Sequence, residues 1–375
     1  MNDILQLTTI LAFALVATVI SRRMQIPEVV GQMLVGILLS PAILGWVHGG
    51  HTIEVMAEVG VILLMFLAGL ESDIKLLRQH FKPALGVALS GIIVPLIIFT
   101  LVTMGTGNSF STSFFYGIVF AATSVSITVK VLQEYGKLAT TAGNIILGAA
   151  VIDDILAILI LAIYTSFSTG KGNLILQFSM AGIFFVFLFL VYRFLPSLWR
   201  FIDKLPIYAK HTTAALLICL GLSLLADGVG MSAVIGSFFA GLAISQTDVA
   251  KEIEQSISTI GYVVFIPIFF VSIALTINFE SLIKHPFLII ICTVIAILTK
   301  CLPAYYAARL SKLSKSDALL IGTGMVSRGE MALIIAQIGI SSALISRDVY
   351  SELVIAIMLT TLIAPFLIKA SLKRN

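Results

Sequence analysis

AGNIILGAAVIDDILAILILAIYTSF, residues 142–167, is an apolar run long enough to cross a bilayer as an α-helix, and two adjacent acids, Asp153 and Asp154, stand at its middle. A central carboxylate costs about 2.5–3.5 kcal/mol on translocon scales, and groups kept at that cost mark ion or proton pathways. One stretch therefore implies both a membrane span and a charge that the span has to handle.

The rest of the chain agrees. Of its 375 residues 59% are hydrophobic and 11% charged, with a mean hydropathy of +1.10, whereas soluble domains carry about 25% charged residues. An all-α polytopic membrane protein is expected. In such a chain the placement of charge matters more than the net +4, and no nucleic-acid partner is implied. Cys219, Cys292 and Cys301 lie in apolar segments without paired spacing, so neither a disulfide framework nor a thiolate metal site is indicated. The N-terminus has an acid before its apolar stretch and Arg22 and Arg23 after it, the reverse of a signal peptide, and reads as a retained first helix. No GxxxxGK[ST] is present, so no nucleotide site or nucleotide domain is expected. His48, His51, His80, His211 and His285 fall in loops or near segment ends and read as surface residues.

Apolar windows separated by Gly, Pro or charged breaks give thirteen segments, at 3–20, 27–44, 54–71, 82–104, 112–132, 142–167, 174–195, 212–227, 231–246, 256–277, 286–308, 316–340 and 349–371. With the N-terminus outside and the C-terminus inside, nearly all of the 23 basic residues fall in inner loops, Lys130, Arg193 and Arg200 among them. Lys171, Lys284 and Arg347 lie outside, and Lys300 and Arg328 lie within segments. An even count would mix the two sides. VGQMLVGILLS at 30–40 resembles IGSFFAGLAIS at 235–245, seven segments later. An odd offset inverts topology, the pattern of inverted-repeat transporters.

Five ionisable groups lie within segments: Asp153, Asp154, Lys300, Arg328 and Glu330. Three acids against two bases leave one negative charge, which suits a site neutralised by one proton or one small cation. Neighbouring carboxylates repel, so at least one must be protonated, paired or ion-bound. Consecutive helical residues point about 100° apart, so one acid can face a protein partner and the other a water-filled cavity. Lys300 is too deep to snorkel and can pair with Asp153, either as a proton carrier or as a lasting salt bridge that only fixes packing. The stretch AATSVSITVKVL sets Thr123, Ser124, Ser126 and Thr128 in a row of oxygens suited to a hard cation. IGTGMVSRGEMAL combines three glycines with Ser327, Arg328 and Glu330. Both read as broken helices, crossing near the midplane as counterparts seven segments apart. Intact helices whose hydroxyls bond back to their own carbonyls are the plainer alternative. Pro95, Pro267 and Pro303 read as tolerated kinks. An intramembrane aspartyl protease fits poorly, because its two acids must face one another from separate helices. A gated cation channel is a further remote alternative.

Taken together, AEVGVILLMFLAGLESD at 57–73, FAATSVSITVKVLQEYGKL at 120–138, the aspartate pair, GMSAVIGSFFAGLAIS at 230–245, IFFVSIALTINF at 268–279, Lys300 and GMVSRGEMALI at 324–334 resemble the bacterial monovalent cation/proton antiporters of the second cation/proton antiporter group, NapA-like and GerN-like. The resemblance implies a thirteen-helix inverted-repeat antiporter fold with discontinuous helices five and twelve. It divides the chain into scaffold and dimerisation helices (1–81), core helices four to six (82–167), a linker helix (168–211), scaffold helices eight to ten (212–278) and core helices eleven to thirteen (279–375). It further implies a homodimer in the lipid of a bacterial cytoplasmic membrane. Asp154 matches the principal cation and proton carboxylate, Asp153 the partner of Lys300, and Arg328 with Glu330 a supporting polar pair. A transported Na+ would sit at Asp154, Asp153, Thr123 and Ser124, with no cofactor and no enzymatic activity. Asp153 and the short tail favour Na+ or Li+ against protons, with electrogenic exchange expected and pH homeostasis, salt tolerance or spore germination as the role; K+/H+ or ammonium/H+ exchange is the alternative.

Overall fold

The computed structural model describes residues 3–24, 27–72, 74–169, 174–204, 206–229, 233–275, 286–341 and 344–372. Among them all regular structure is helical. In chain order the helices are α1 (Asp3–Arg23), α2 (Glu28–Leu39), α3 (His51–Leu70), α4 (Ile74–Gln79), α5 (Phe81–Gly105), α6 (Phe110–Ala121), α7 (Val125–Glu134), α8 (Thr141–Thr169), α9 (Leu174–Ile202), α10 (Lys210–Gly228), α11 (Ala233–Ile244), α12 (Ala250–Ile260), a π-helical turn at Gly261–Phe265, α13 (Ile266–Leu275), α14 (Pro286–Leu310), α15 (Lys315–Gly324), α16 (Glu330–Ser341) and α17 (Arg347–Leu372). Among the described residues ten helical spans are long and apolar enough to cross a membrane, and three shorter apolar helices accompany them.

Where water is scarce, the backbone decides. An unwound strand of chain in hydrocarbon leaves several polar groups unmatched, while a proline inside a helix forfeits one hydrogen bond. Accordingly α5, α14 and α17 run through Pro95, Pro303 and Pro365. For the same reason α9 runs through Pro196 to Ile202, past the limit read from the sequence, so Arg193 and Arg200 are helical and not in a loop. Lys130, also expected in an inner loop, is a buried residue of α7. At two helix starts the first amides are capped locally: the Ser109 hydroxyl accepts from the Thr112 N–H and the Ser314 hydroxyl from the Asp317 N–H.

The chain divides into two compact units. The first holds Met1–Gly50, Leu76–Leu161 and Phe270–Asn375, and within it lie Asp153, Asp154, Lys300 and Arg328. The second holds His51–Lys75 and Ala162–Phe269.

Glycines set helix spacing in each unit. In the first, a Cβ on Gly31 would strike Ser21 of α1, and one on Gly36 the Val271 carbonyl of α13. In the second, a Cβ on Gly236 would strike the Leu222 carbonyl of α10, and one on Gly241 the Phe66 carbonyl of α3. Gly69 and Gly241 face each other across the α3–α11 seam, where either Cβ would come within 3.0 Å of the other's Cα. Close backbone approach of this kind is what small residues permit between membrane helices.

Because the obstacle at Gly241 is backbone, it cannot rotate away. Gly241→Ala is expected to destabilise the protein by about 1–3 kcal/mol, read as a lower unfolding midpoint of purified protein in detergent. An unchanged midpoint would show that the seam has slack.

Candidate functional site

Both helices read from the sequence as broken are interrupted. Between α6 and α7, residues 122–124 are extended, with Ala122 at φ −65°, ψ 143° and Ser124 at φ −96°, ψ 117°. Between α15 and α16, residues 325–329 leave the helix. The two gaps are stitched to one another. The Ser124 N–H donates to the Ser327 carbonyl at 2.9 Å, and the Ser327 hydroxyl donates to the Ser124 carbonyl at 2.5 Å. The Thr128 hydroxyl donates to the Gly324 carbonyl at 2.7 Å and lies 3.1 Å from the Ser327 hydroxyl. The Thr361 hydroxyl of α17 reaches the Arg328 carbonyl. Backbone groups freed by the two breaks therefore find partners inside the protein, the condition for unwound chain at membrane depth.

The first break presents Thr123 to α8. Its hydroxyl donates to Asp153 Oδ2 at 2.6 Å, and Lys300 Nζ on α14 donates to the same oxygen at 2.6 Å. Asp153 and Lys300 are both 0% exposed. A carboxylate and an ammonium held this way compensate one another where neither is solvated. Gly91 on α5 makes room for the lysine: a Cβ there would stand 3.1 Å from Lys300 Nζ and 3.3 Å from its Cδ. Asp153 Oδ1 is buried without a hydrogen-bond partner among the described residues. Asp154, one residue on, is 5% exposed and interacts electrostatically with Lys300.

Arg328 stands in the second break, fully buried. Its guanidinium donates to the Val326 carbonyl at 2.7 Å and the Ala296 carbonyl at 3.0 Å, and Nε has no partner among the described residues. It thus offsets one carbonyl just past the C-terminal end of α15, where a cation is favoured, and one within α14, and its charge is felt by Asp153 and Lys300.

Of the residues singled out from sequence, Asp153, Lys300 and Thr123 meet directly, Ser124 and Ser327 join the two breaks, and Ser126 is buried on α7. Glu330 opens α16, and its side chain lies outside the described residues. Sequence reading missed three groups: Thr361; the 3.0 Å hydrogen bond from the Tyr116 hydroxyl to Glu352; and a cluster of Arg22, Glu28, Lys130 and Glu134. The spacing of Lys130 and Glu134, four apart on one helix, was the available signal for the last.

Two interrupted helices stitched at their breaks, beside a buried lysine–aspartate pair and a second acid, define a membrane transporter for small ions. The family model described as "Sodium/hydrogen exchanger, transmembrane" matches residues 10–374, and the chain belongs to that family. It is a transporter and not an enzyme. It is 47% identical over 378 residues to a "Na(+)/H(+) antiporter" of Enterococcus hirae, covering 97% of this chain and 98% of that one. It is 38% identical over 366 residues to the "Na(+)/H(+)-K(+) antiporter GerN" of Bacillus cereus, covering 97% and 95%. The solved structure of the sodium proton antiporter MjNhaP1 from Methanocaldococcus jannaschii shares the fold, with a TM-score of 0.74 at 18% identity over 98% of this chain and 97% of that one.

Removing one member of a buried ion pair strands the other, at a cost of about 3–5 kcal/mol, whereas replacing both is far milder. Lys300→Met is therefore expected to lower the unfolding midpoint more than the double variant Lys300→Met with Asp153→Leu. Additive losses in a thermal double-mutant cycle would show that the pair is not energetically coupled.

Proposed function

We propose that the protein exchanges Na+ for H+ by alternating access, with Asp154 as the exchange carboxylate and Asp153 with Lys300 as its charge partner. The observation that carries this reading is the fully buried Asp153–Lys300 pair next to Asp154 in a member of the sodium/hydrogen exchanger family. A cation entering from one side takes oxygens of Asp154, Asp153, Thr123 and Ser124, and a proton leaves Asp154. If Lys300 also gives up its proton as its pair with Asp153 opens, two protons leave per Na+ and each cycle moves one net charge. That charge couples transport to the membrane potential at about 2.3 kcal/mol per 100 mV. Glu330, Arg328, Ser126 and Ser327 support the crossing. Adjacent acids on one helix, with a lysine against one of them, do not form the facing dyad of an aspartyl protease.

The architecture in this reading has thirteen spans in two inverted repeats, counting each interrupted helix once. The glycine contacts support it: Gly31 packs on α1 as Gly236 packs on α10, and Gly36 packs on α13 as Gly241 packs on α3. A shift of seven segments carries each contact of one set onto its counterpart in the other. Spans one to three and eight to ten form a dimerising scaffold, and four to six with eleven to thirteen form the moving core. The chain sits in a bacterial cytoplasmic membrane with its N-terminus outside and C-terminus inside. K+ is the second substrate to test, because the relative named GerN carries it in its name.

Purified protein in liposomes is expected to alkalinise the lumen on addition of Na+ or Li+ outside, more weakly with K+, because inward cation drives outward H+. Asp154→Asn should reduce that signal to the level of empty vesicles, and full exchange by this variant would sink the assignment. Lys300→Ala should weaken the dependence on an imposed potential. An unchanged reversal potential would remove the lysine from proton carriage.

A further inference from the structure

The start of α2 lacks a cap of its own. The residue before it is Pro27, whose side chain has no acceptor, and no side-chain cap bond is made there. The cap comes instead from 106 residues away: both carboxylate oxygens of Glu134 accept from the Glu28 N–H, at 3.1 and 3.2 Å. An anion at a helix N-terminus meets unsatisfied amides and the positive end of the dipole. Side chains reinforce the bond. Lys130 Nζ stands 3.4 Å from Glu28 and 3.8 Å from Glu134, and Arg22 Nε reaches Glu28 at 2.5 Å. The side chains of Glu28 and Lys130 are each 10% exposed and that of Glu134 15%, so this is not a solvated surface pair.

Glu134 and Lys130 close the helix that Ser124 opens. α7 is only ten residues long, with its first turn at the crossing of the breaks and its last turn fastened to α2. Buried from Val125 to Leu132, it connects the two points through the protein interior. In the exchange mechanism proposed above, on which this inference rests, α2 belongs to the scaffold and α7 to the core, while in this conformer both lie in the first compact unit. The cap then spans a boundary along which the parts must slide.

We propose that Glu134 is a positioning residue for exchange: its carboxylate latches α7 to the N-terminus of α2 in this conformer, and the latch must open for the ion site to change sides. It touches neither the ion nor its ligands. It acts on how long the site stays in this state, so it governs turnover and leaves intrinsic cation affinity alone.

The test uses the full-length protein in proteoliposomes, with Glu28→Cys and Glu134→Cys introduced together and bridged by a short, reducible bis-thiosulfonate reagent. Exchange is expected to fall at least tenfold on bridging and to return on reduction. Full exchange by the bridged protein overturns the latch. Wild-type vesicles run alongside separate the two readings: absence of Na+-driven proton flux in them overturns exchange itself, whereas flux in wild type with unimpaired flux in the bridged variant overturns only the latch. Should the double variant be inactive before bridging, Glu134→Gln, which keeps an acceptor, and Glu134→Ala, which does not, decide the matter. The expected result is a turnover change of at least threefold for Ala, partly restored in Gln, with Na+ binding measured calorimetrically within twofold of wild type. Equal turnover in all three, or a matching loss of binding, overturns the proposal.

Discussion

The buried contact between Lys300 and Asp153 is the constraint to which its surroundings answer. Taking a carboxylate and an ammonium out of water costs several kcal/mol for each ion, recovered only by close approach and further hydrogen bonds. Gly91 eases the close approach, since a Cβ there would stand 3.1 Å from the lysine's Nζ and press on it. The further hydrogen bond comes from Thr123, in the first residues to leave the helix after α6. An uninterrupted helix would spend the flanking backbone on itself and offer only a side chain at helical angles. The break is thus part of how the ion pair is stabilised.

A break in a membrane helix carries its own liability, and here the two breaks answer each other. Ser124 and Ser327 exchange bonds in both directions, Thr128 takes the carbonyl at the end of α15, and Arg328, among the described residues, spends its guanidinium on two carbonyls and not on an acid. That last choice matters for charge. Arg328 remains a positive charge close to Asp153 without neutralising it through a hydrogen bond, so the local balance still depends on the protonation of the acids and Lys300.

Much of this was legible in the sequence, for identifiable reasons. Asp153, Asp154 and Lys300 stand out because a charge in a long apolar run has no cheap explanation, and the breaks stand out because glycine and hydroxyl residues crowd two windows where leucine and isoleucine would serve better. Lys130 was misread because the same physics points two ways: a lysine near a helix end satisfies the positive-inside rule whether it is solvated or buried against Glu28 and Glu134. Thr361 could not be found at all, since a threonine in a membrane helix usually bonds its own backbone, and this one also does so, to Ile357. Its reach to Arg328 is a fact of tertiary packing that no local pattern encodes.

In the mechanism we propose, cation and proton compete, and the geometry at Asp153 supplies a reason beyond the proposed sharing of Asp154. Oδ2 is engaged twice, by Thr123 and Lys300, while Oδ1 is buried without a partner among the described residues. A cation drawn to Oδ1 stands across one carboxylate from the ammonium, at a separation of about 5 Å. With an effective dielectric of about 20, two like charges at that distance repel by about 3 kcal/mol, more than a hundredfold in affinity. Cation binding and protonation of Lys300 are then antagonistic through one carboxyl group, whichever of them the cycle begins with. A lysine that stays charged would oppose the cation and yield tight coupling to the Asp154 proton alone. A lysine that yields its proton would relieve the repulsion and add a second proton to the exchange. In that mechanism the same short contact that fixes α14 against α8 also sets the terms on which a cation is admitted.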